Sequence, residues 1–175
     1  MSVLFKGGTI VTATGRYPAD VFAEGDKIKA IGTDLDNPAD EVVDAGGKYI
    51  LPGAIDPHTH ISMPFMGTHA QDDYETGTIA APCGGVTCVV DFDLQQKGET
   101  LLEAIERKKS WAEGKVCVDY SLHPAVMDPR PDVIAEVKKA CQEYGTPSFK
   151  IFMVYDFRVD DATMIKLLEE TKKYG

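Results

Sequence analysis

The sequence predicts an α/β protein in which a small β module precedes a run of alternating strands and helices, and three observations carry this. Residues 1–50 read as short strands joined by tight turns. Beyond Pro52-Gly53 the apolar spacing changes from two residues to about 3.6. Four apolar, strand-like segments then follow one another with a capped helical segment between each pair.

In the β module the expected strands cover 3–12, 21–31 with a break at Glu24-Gly25-Asp26, and 41–50 with a break at Gly46-Gly47. The later strands are expected at 54–58, 87–92, 116–122 and 148–154. Asp72-Asp73-Tyr74-Glu75 supplies a helix cap and a capping-box glutamate, and Thr100 opens a helix over 101–113. Pro131-Asp132 opens another over 133–144, which stops at Gly145, and a last helix runs over 161–174.

Alternation of this kind implies a parallel sheet, either open and doubly wound or closed as a (β/α)8 barrel. No G-x-G-x-x-G follows the first of the later strands and no G-x-x-x-x-G-K-[ST] occurs, so the usual phosphate-cradling loops are missing. A barrel needs eight strand–helix units, and four are present. The expected division is therefore a β module at 1–50 and an incomplete barrel at 51–175.

A composition of 43% hydrophobic and 26% charged residues is that of an ordinary globular chain. The net charge of −10 argues against a nucleic-acid partner, which would call for a basic stripe, and against an anionic membrane surface. Arg107-Lys108-Lys109, Lys138-Lys139 and Lys172-Lys173 are expected on solvated helix faces. No basic leader or long apolar segment marks export, so a cytoplasmic location is expected. Cys83, Cys88, Cys117 and Cys141 form no C-x-x-C pair and are read as packing residues.

His58 and His60 lie two apart at the end of a predicted strand, so their imidazoles point to one side and one cation could take both. Catalytic groups collect at the C-terminal strand ends of a barrel. Two such histidines can equally be surface or packing residues. Lys150 stands in the apolar run Ser148-Phe149-Lys150-Ile151-Phe152-Met153-Val154-Tyr155. Burying its ammonium is costly, so it is expected to be paired, to reach solvent, or to be shifted toward the neutral amine.

The run Leu51-Pro52-Gly53-Ala54-Ile55-Asp56-Pro57-His58-Thr59-His60 resembles the start of the barrel in the amidohydrolase superfamily. The stretch through Met63-Pro64-Phe65-Met66-Gly67-Thr68 to Asp72-Asp73-Tyr74-Glu75-Thr76-Gly77-Thr78 resembles dihydropyrimidinases and hydantoinases, and the likeness covers essentially the whole chain. Dihydroorotases place an arginine two residues after the pair, where this chain has Ser62. Pro82-Cys83 before Gly84-Gly85 is unusual for the family.

The resemblance implies the first half of an amidohydrolase-type (β/α)8 TIM barrel behind a small β-sandwich module. It implies a hydrolase that opens 5,6-dihydropyrimidines or hydantoins, both small cyclic diamides, to N-carbamoyl amino acids. It also implies two divalent metal ions, with Zn2+ expected, and CO2 for lysine carbamylation. His58 and His60 then hold one ion, carbamylated Lys150 bridges two, and Tyr155 donates to the oxyanion, provided the fourth strand has ended before Tyr155. A homotetramer is expected on the same ground. Later histidines and an aspartate are needed to complete the site, and the sequence holds no histidine after His123. The 175-residue chain alone is therefore expected to be inactive.

Phe65 and Phe152 are expected near the mouth, as a substrate-side-chain pocket by resemblance or as ordinary core. Asp91 and Asp93 share a face and could act as a carboxylate pair, although capping or solvent exposure is the reading preferred. His123 is expected to be structural at the rim, and His69 to be solvated. Two other functions stay open: a non-catalytic dihydropyrimidinase-like scaffold, and another cyclic amidohydrolase such as an allantoinase.

Overall fold

In the computed structural model, which describes all of residues 1–175, the first of two units (Met1–Pro52) is built on one sheet. Its strands are β1 (Ser2–Thr12), β2 (Gly15–Glu24), β3 (Lys27–Gly32), β4 (Glu41–Asp44) and β5 (Tyr49–Ile50), in the order β3-β2-β1-β4 with β5 also on β1. The first three are antiparallel, whereas β4 and β5 run parallel to β1. Strand β2 begins six residues before the expected position 21, because Thr12 to Ile10 pair with Gly15 to Tyr17 in a hairpin. Residues 15–18 are all exposed, which hides the alternation that would mark them as strand. A bulge between Phe5 and Gly8 uses Gly7 at φ 72°, and the Gly7 N–H donates to buried Asp20 at 2.7 Å. That bond holds the Asp20 carboxyl below the usual carboxylate range.

The second unit (Gly53–Gly175) contains β6 (Ala54–Thr59), β7 (Pro64–Phe65), β8 (Thr68–His69), α1 (Tyr74–Cys83), β9 (Val86–Leu94), α2 (Leu101–Ala112), β10 (Asp119–Val126), α3 (Pro131–Ala135), α4 (Val137–Tyr144), β11 (Lys150–Ile151) and α5 (Asp161–Tyr174). Its main sheet has the order β11-β10-β9-β6 and is parallel throughout, with β7 and β8 as a separate hairpin. Each new long strand adds beside its predecessor on the same side, with at least one helix in each crossover. A doubly wound sheet would reverse direction at a switch point, and none occurs. The architecture is the first half of a barrel.

Local rules place most of the helices. Thr100 and Glu103 form the capping box of α2, Asp160 accepts from the Thr163 N–H at the start of α5, and Gly145 ends α4 at φ 67°. In α1 the box joins Asp73 to Thr76, so a threonine hydroxyl takes the place expected for a glutamate. The helix expected over 133–144 is two helices that meet at Glu136. The Glu136 carboxylate turns to the start of α2 and accepts from the N–H groups of Leu101 (2.8 Å) and Leu102 (3.3 Å).

In the second unit, β10 and β11 depart from expectation. β10 is displaced toward the C-terminus and contains Pro124, which the sequence reading places beyond the strand's end. β11 pairs only with Ala125 and Val126, so Pro124 faces no ladder on that edge and its missing N–H costs nothing there. β11 itself is two residues long. The chain then folds back, with Val159 N–H donating to the Phe152 carbonyl at 3.1 Å and Tyr155 at φ 70°.

One buried cluster (Leu101, Ile105, Leu122, Val126, Val133 and Val137 among others) packs α2, α3 and α4 on β10. A second joins Ile61, Tyr74, Val89 and Ala112. At about 1.5–3 kcal/mol for each large side chain buried, these clusters fix which face of the sheet meets the helices. No helix is long and apolar enough to cross a membrane.

Candidate metal centre

Strand parity sorts the residues of β6 and β9 between two faces. His58 and His60 lie with Phe92 on the face turned away from the helices, and Thr59 lies with Asp91 on the helix side. The ladder slips between Asp56 and Thr59, and the Asp56 carboxylate accepts from the His58 N–H at 3.1 Å within that irregular segment. The two imidazoles end with Nε2 atoms 3.2 Å apart. Two metal–nitrogen bonds of about 2.0–2.1 Å at a tetrahedral angle would place their nitrogens about 3.3 Å apart. The pair thus has the spacing of two ligands on one cation.

The His60 Nδ1 faces the Met63 sulfur at 3.1 Å, and a proton donated there leaves the Nε2 lone pair free. Loss of hydration around the ring, and next the adjacent His58, push the His60 pKa down, toward the neutral form that binds metals. No third His, Cys, Asp or Glu joins the pair.

Phe92 is the hub of this face. Its ring centroid lies 4.5 Å from that of His58, 5.2 Å from His60 and 5.2 Å from His123. The Lys150 ammonium stands 4.8 Å from the Phe92 ring and 5.3 Å from that of Phe152. Lys150 is half-buried and meets aromatic faces, not a carboxylate. His123 spends both nitrogens, Nε2 on the Pro57 carbonyl at 3.2 Å and Nδ1 on the Ser148 hydroxyl at 2.6 Å, which suits a structural tie. His69 is exposed in β8.

Phe65, Phe152 and Tyr155 gather in one aromatic group with Phe157, at centroid separations of 5.0 to 6.4 Å. A cavity of about 590 Å³ opens beside them, lined by Phe65, Met66, Gln95, Met127, Asp156 and Phe157. Ser62, Met66 and Tyr155 all have positive φ, so the loops after β6 and β11 hold sparsely populated backbone near the candidate site.

Sequence reasoning misplaced the two aspartates. Asp91 and Asp93 are buried, neither capping nor exposed, on the helix side of β9. The Asp91 carboxylate accepts from Thr59 Oγ1 (3.0 Å), Ile61 N–H (2.9 Å), Tyr74 OH (2.9 Å) and Lys108 Nζ (2.8 Å). Lys108, expected in solvent, is as buried as its partner. The missed signal is its spacing: Leu101, Ala104, Ile105, Lys108 and Ala112 form one buried stripe. Burial and then Asp91 raise the Tyr74 pKa, so its hydroxyl stays a donor.

Asp93 meets Arg107 at 3.2 Å through Oδ1, while its Oδ2 has no partner. Burial pushes the Asp93 carboxyl up to about 7, with Arg107 and Lys108 pulling the other way. Phe92 and Phe157 were also not singled out. An aromatic between two aspartates in an apolar strand is the only mark Phe92 leaves in the sequence.

Residues 49–175 match the model of the Amidohydrolase family. The whole chain is 48% identical to a D-hydantoinase of Geobacillus stearothermophilus and covers 38% of that protein. It is 42% identical to a dihydropyrimidinase of Rattus norvegicus, over 99% of this chain and 35% of the relative. The crystal structure of a dihydropyrimidinase from Brevibacillus agri superposes on the whole chain with a TM-score of 0.95 at 45% identity, again over 38% of the longer protein. An N-acyl-D-glutamate deacylase of Bordetella bronchiseptica, at 18% identity and a TM-score of 0.71, shares the fold. The chain spans little more than a third of the length of the curated relatives it matches.

Proposed function

Because the chain belongs to the amidohydrolase family, we propose that it is the N-terminal portion of a metal-dependent cyclic amidase of the dihydropyrimidinase/hydantoinase type. The substrates are 5,6-dihydropyrimidines or hydantoins, and the products are N-carbamoyl amino acids. The single observation that carries this reading is the 3.2 Å approach of His58 and His60 Nε2 on a face that also presents Lys150. The domain division at residue 50, a cytoplasmic location and a homotetramer belong to the same proposal.

His58 and His60 would hold one divalent ion, zinc by preference of imidazole nitrogen. Lys150, as its carbamate, would supply an anionic bridge to a second. That carbamate forms when the neutral amine adds CO2, making an N–C bond and releasing one proton. When bound, such ions lower the pKa of water and polarise a carbonyl.

The rest of the work falls to this chain's side chains. Phe92 packs against both imidazoles from one side and restricts how far either ring can turn. Tyr155, beyond the end of β11, donates a hydrogen bond to the carbonyl oxygen as it gains negative charge. Phe65 and Phe152 flank the ring substituent in an aromatic pocket shared with Phe157.

The test is ring opening of dihydrouracil and hydantoin by the protein at its natural length, followed through the carbamoyl product. Activity should vanish with a chelator and return with Zn2+. Turnover that ignores the chelator, or no ring opening at all, counts against the reading. The purified 175-residue chain should open neither ring.

A further inference from the structure

The segment Thr59-His60-Ile61 leaves the sheet where the β6 ladder is irregular, so β9 does not supply all of its hydrogen bonds. A buried cluster on the helix side supplies them instead. Asp91 Oδ1 accepts from the Thr59 hydroxyl (3.0 Å) and the Ile61 N–H (2.9 Å), two donors that bracket His60. Lys108 Nζ donates to the Ile61 carbonyl at 2.5 Å and to Asp91 Oδ2 at 2.8 Å. Tyr74 OH completes the Asp91 carboxylate at 2.9 Å. The rings of Tyr74 and Trp111 each lie 5.3 Å from the ammonium.

Both backbone polar groups of Ile61 are therefore held by side chains with at most 1% of their surface exposed. We propose that Asp91, fixed by Lys108 and Tyr74, is a positioning residue that sets the facing geometry of His58 and His60 from the opposite side of the strand. It touches no reacting atom. Alternating residues share one backbone, so a clamp on Thr59 and Ile61 limits the rotation that would swing the imidazoles apart. Burying an Asp–Lys pair seldom stabilises more than an apolar contact of the same size would. What the pair adds here is direction for a strand end that the ladder leaves free.

This role presupposes the metal pair proposed above, and the following measurements separate the two. The protein is freed of metal and titrated with Co2+. Thr59→Val should weaken affinity at the histidine pair by about tenfold or more and change the visible spectrum of bound cobalt. Thr59→Ser, which keeps the hydroxyl, should restore both. Tyr74→Phe, which removes one of the four bonds to Asp91, should shift both readings less in the same direction.

In the metal-free protein, Thr59→Val should also speed hydrogen exchange at the Ile61 amide. Unchanged affinity, spectrum and exchange in folded Thr59→Val and Tyr74→Phe proteins overturn the positioning role and leave the metal pair standing. A parent whose cobalt binding is indifferent to His58→Asn and His60→Asn sinks the metal reading, and the exchange result then decides alone whether Asp91 orders the segment.

Discussion

Lys108 Nζ and Asp91 Oδ2 lie 2.8 Å apart, with at most 1% of either side chain exposed, directly behind the strand end that carries the histidine pair. Removing one member strands the other in the interior. Lys108→Met should cost about 3–5 kcal/mol, because the Asp91 charge loses its counter-ion. The double variant Asp91→Asn with Lys108→Met should cost less than that single change, since no unpaired charge remains. Denaturant midpoints read both. A double variant as unstable as the sum of its parts would contradict the charge-burial account.

Asp93 gives a pH dependence of definite sign. Its carboxyl is raised to about 7, chiefly by burial. Between the ordinary carboxylate range and about pH 7 the folded chain keeps a proton that the unfolded chain has released. Stability therefore falls as pH rises through that window and levels off above it. Asp93→Asn is neutral throughout and removes this slope, while Arg107 keeps its 2.8 Å contact with Glu99. The stability of the variant relative to the parent should rise from pH 4 to pH 8 by a few kcal/mol, measured by urea unfolding at each pH. A constant difference across the window would refute the raised carboxyl.

How much of this was legible depends on the range of the interaction. Asp73, Thr100 and Gly145 could be placed because a cap is satisfied within its own turn. The shared side of His58 and His60 followed from parity alone. The displacement of β10 was not legible, because Pro124 is tolerated only through the shortness of β11, a fact about another strand. Asp91, Asp93 and Lys108 looked solvated because their burial depends on distant partners: Asp93 and Arg107 are 14 residues apart, Asp91 and Tyr74 17, Asp91 and Thr59 32, and Lys108 and Ile61 47. Phe92 became a hub only once three strands had brought four side chains to its ring.

Tyr155 lies past the end of β11, at φ 70° and half exposed, stacked on Phe157 at 5.2 Å. If its hydroxyl stabilises the developing oxyanion, Tyr155→Phe should lower kcat by about 10²–10³ and leave KM and metal content near those of the parent. Steady-state kinetics together with metal analysis would read this. An unchanged kcat would remove Tyr155 from the machinery.

Lys150 is the residue on which the dinuclear reading turns. Its ammonium lies against Phe92 and Phe152, and the proposed bridging carbamate competes with one other role, that of a lysine packed on aromatic rings. The two roles differ in what replacement removes. For a packing lysine, Lys150→Ala should leave metal content and turnover close to the parent, with a small loss of stability. For a bridging carbamate, it should abolish turnover and reduce the bound metal from two ions per chain to one or none, because the oxygens that would join the two ions leave with the side chain. Metal analysis of the purified variant, beside the ring-opening assay, decides between them, and retained turnover with two bound metals would end the bridging assignment.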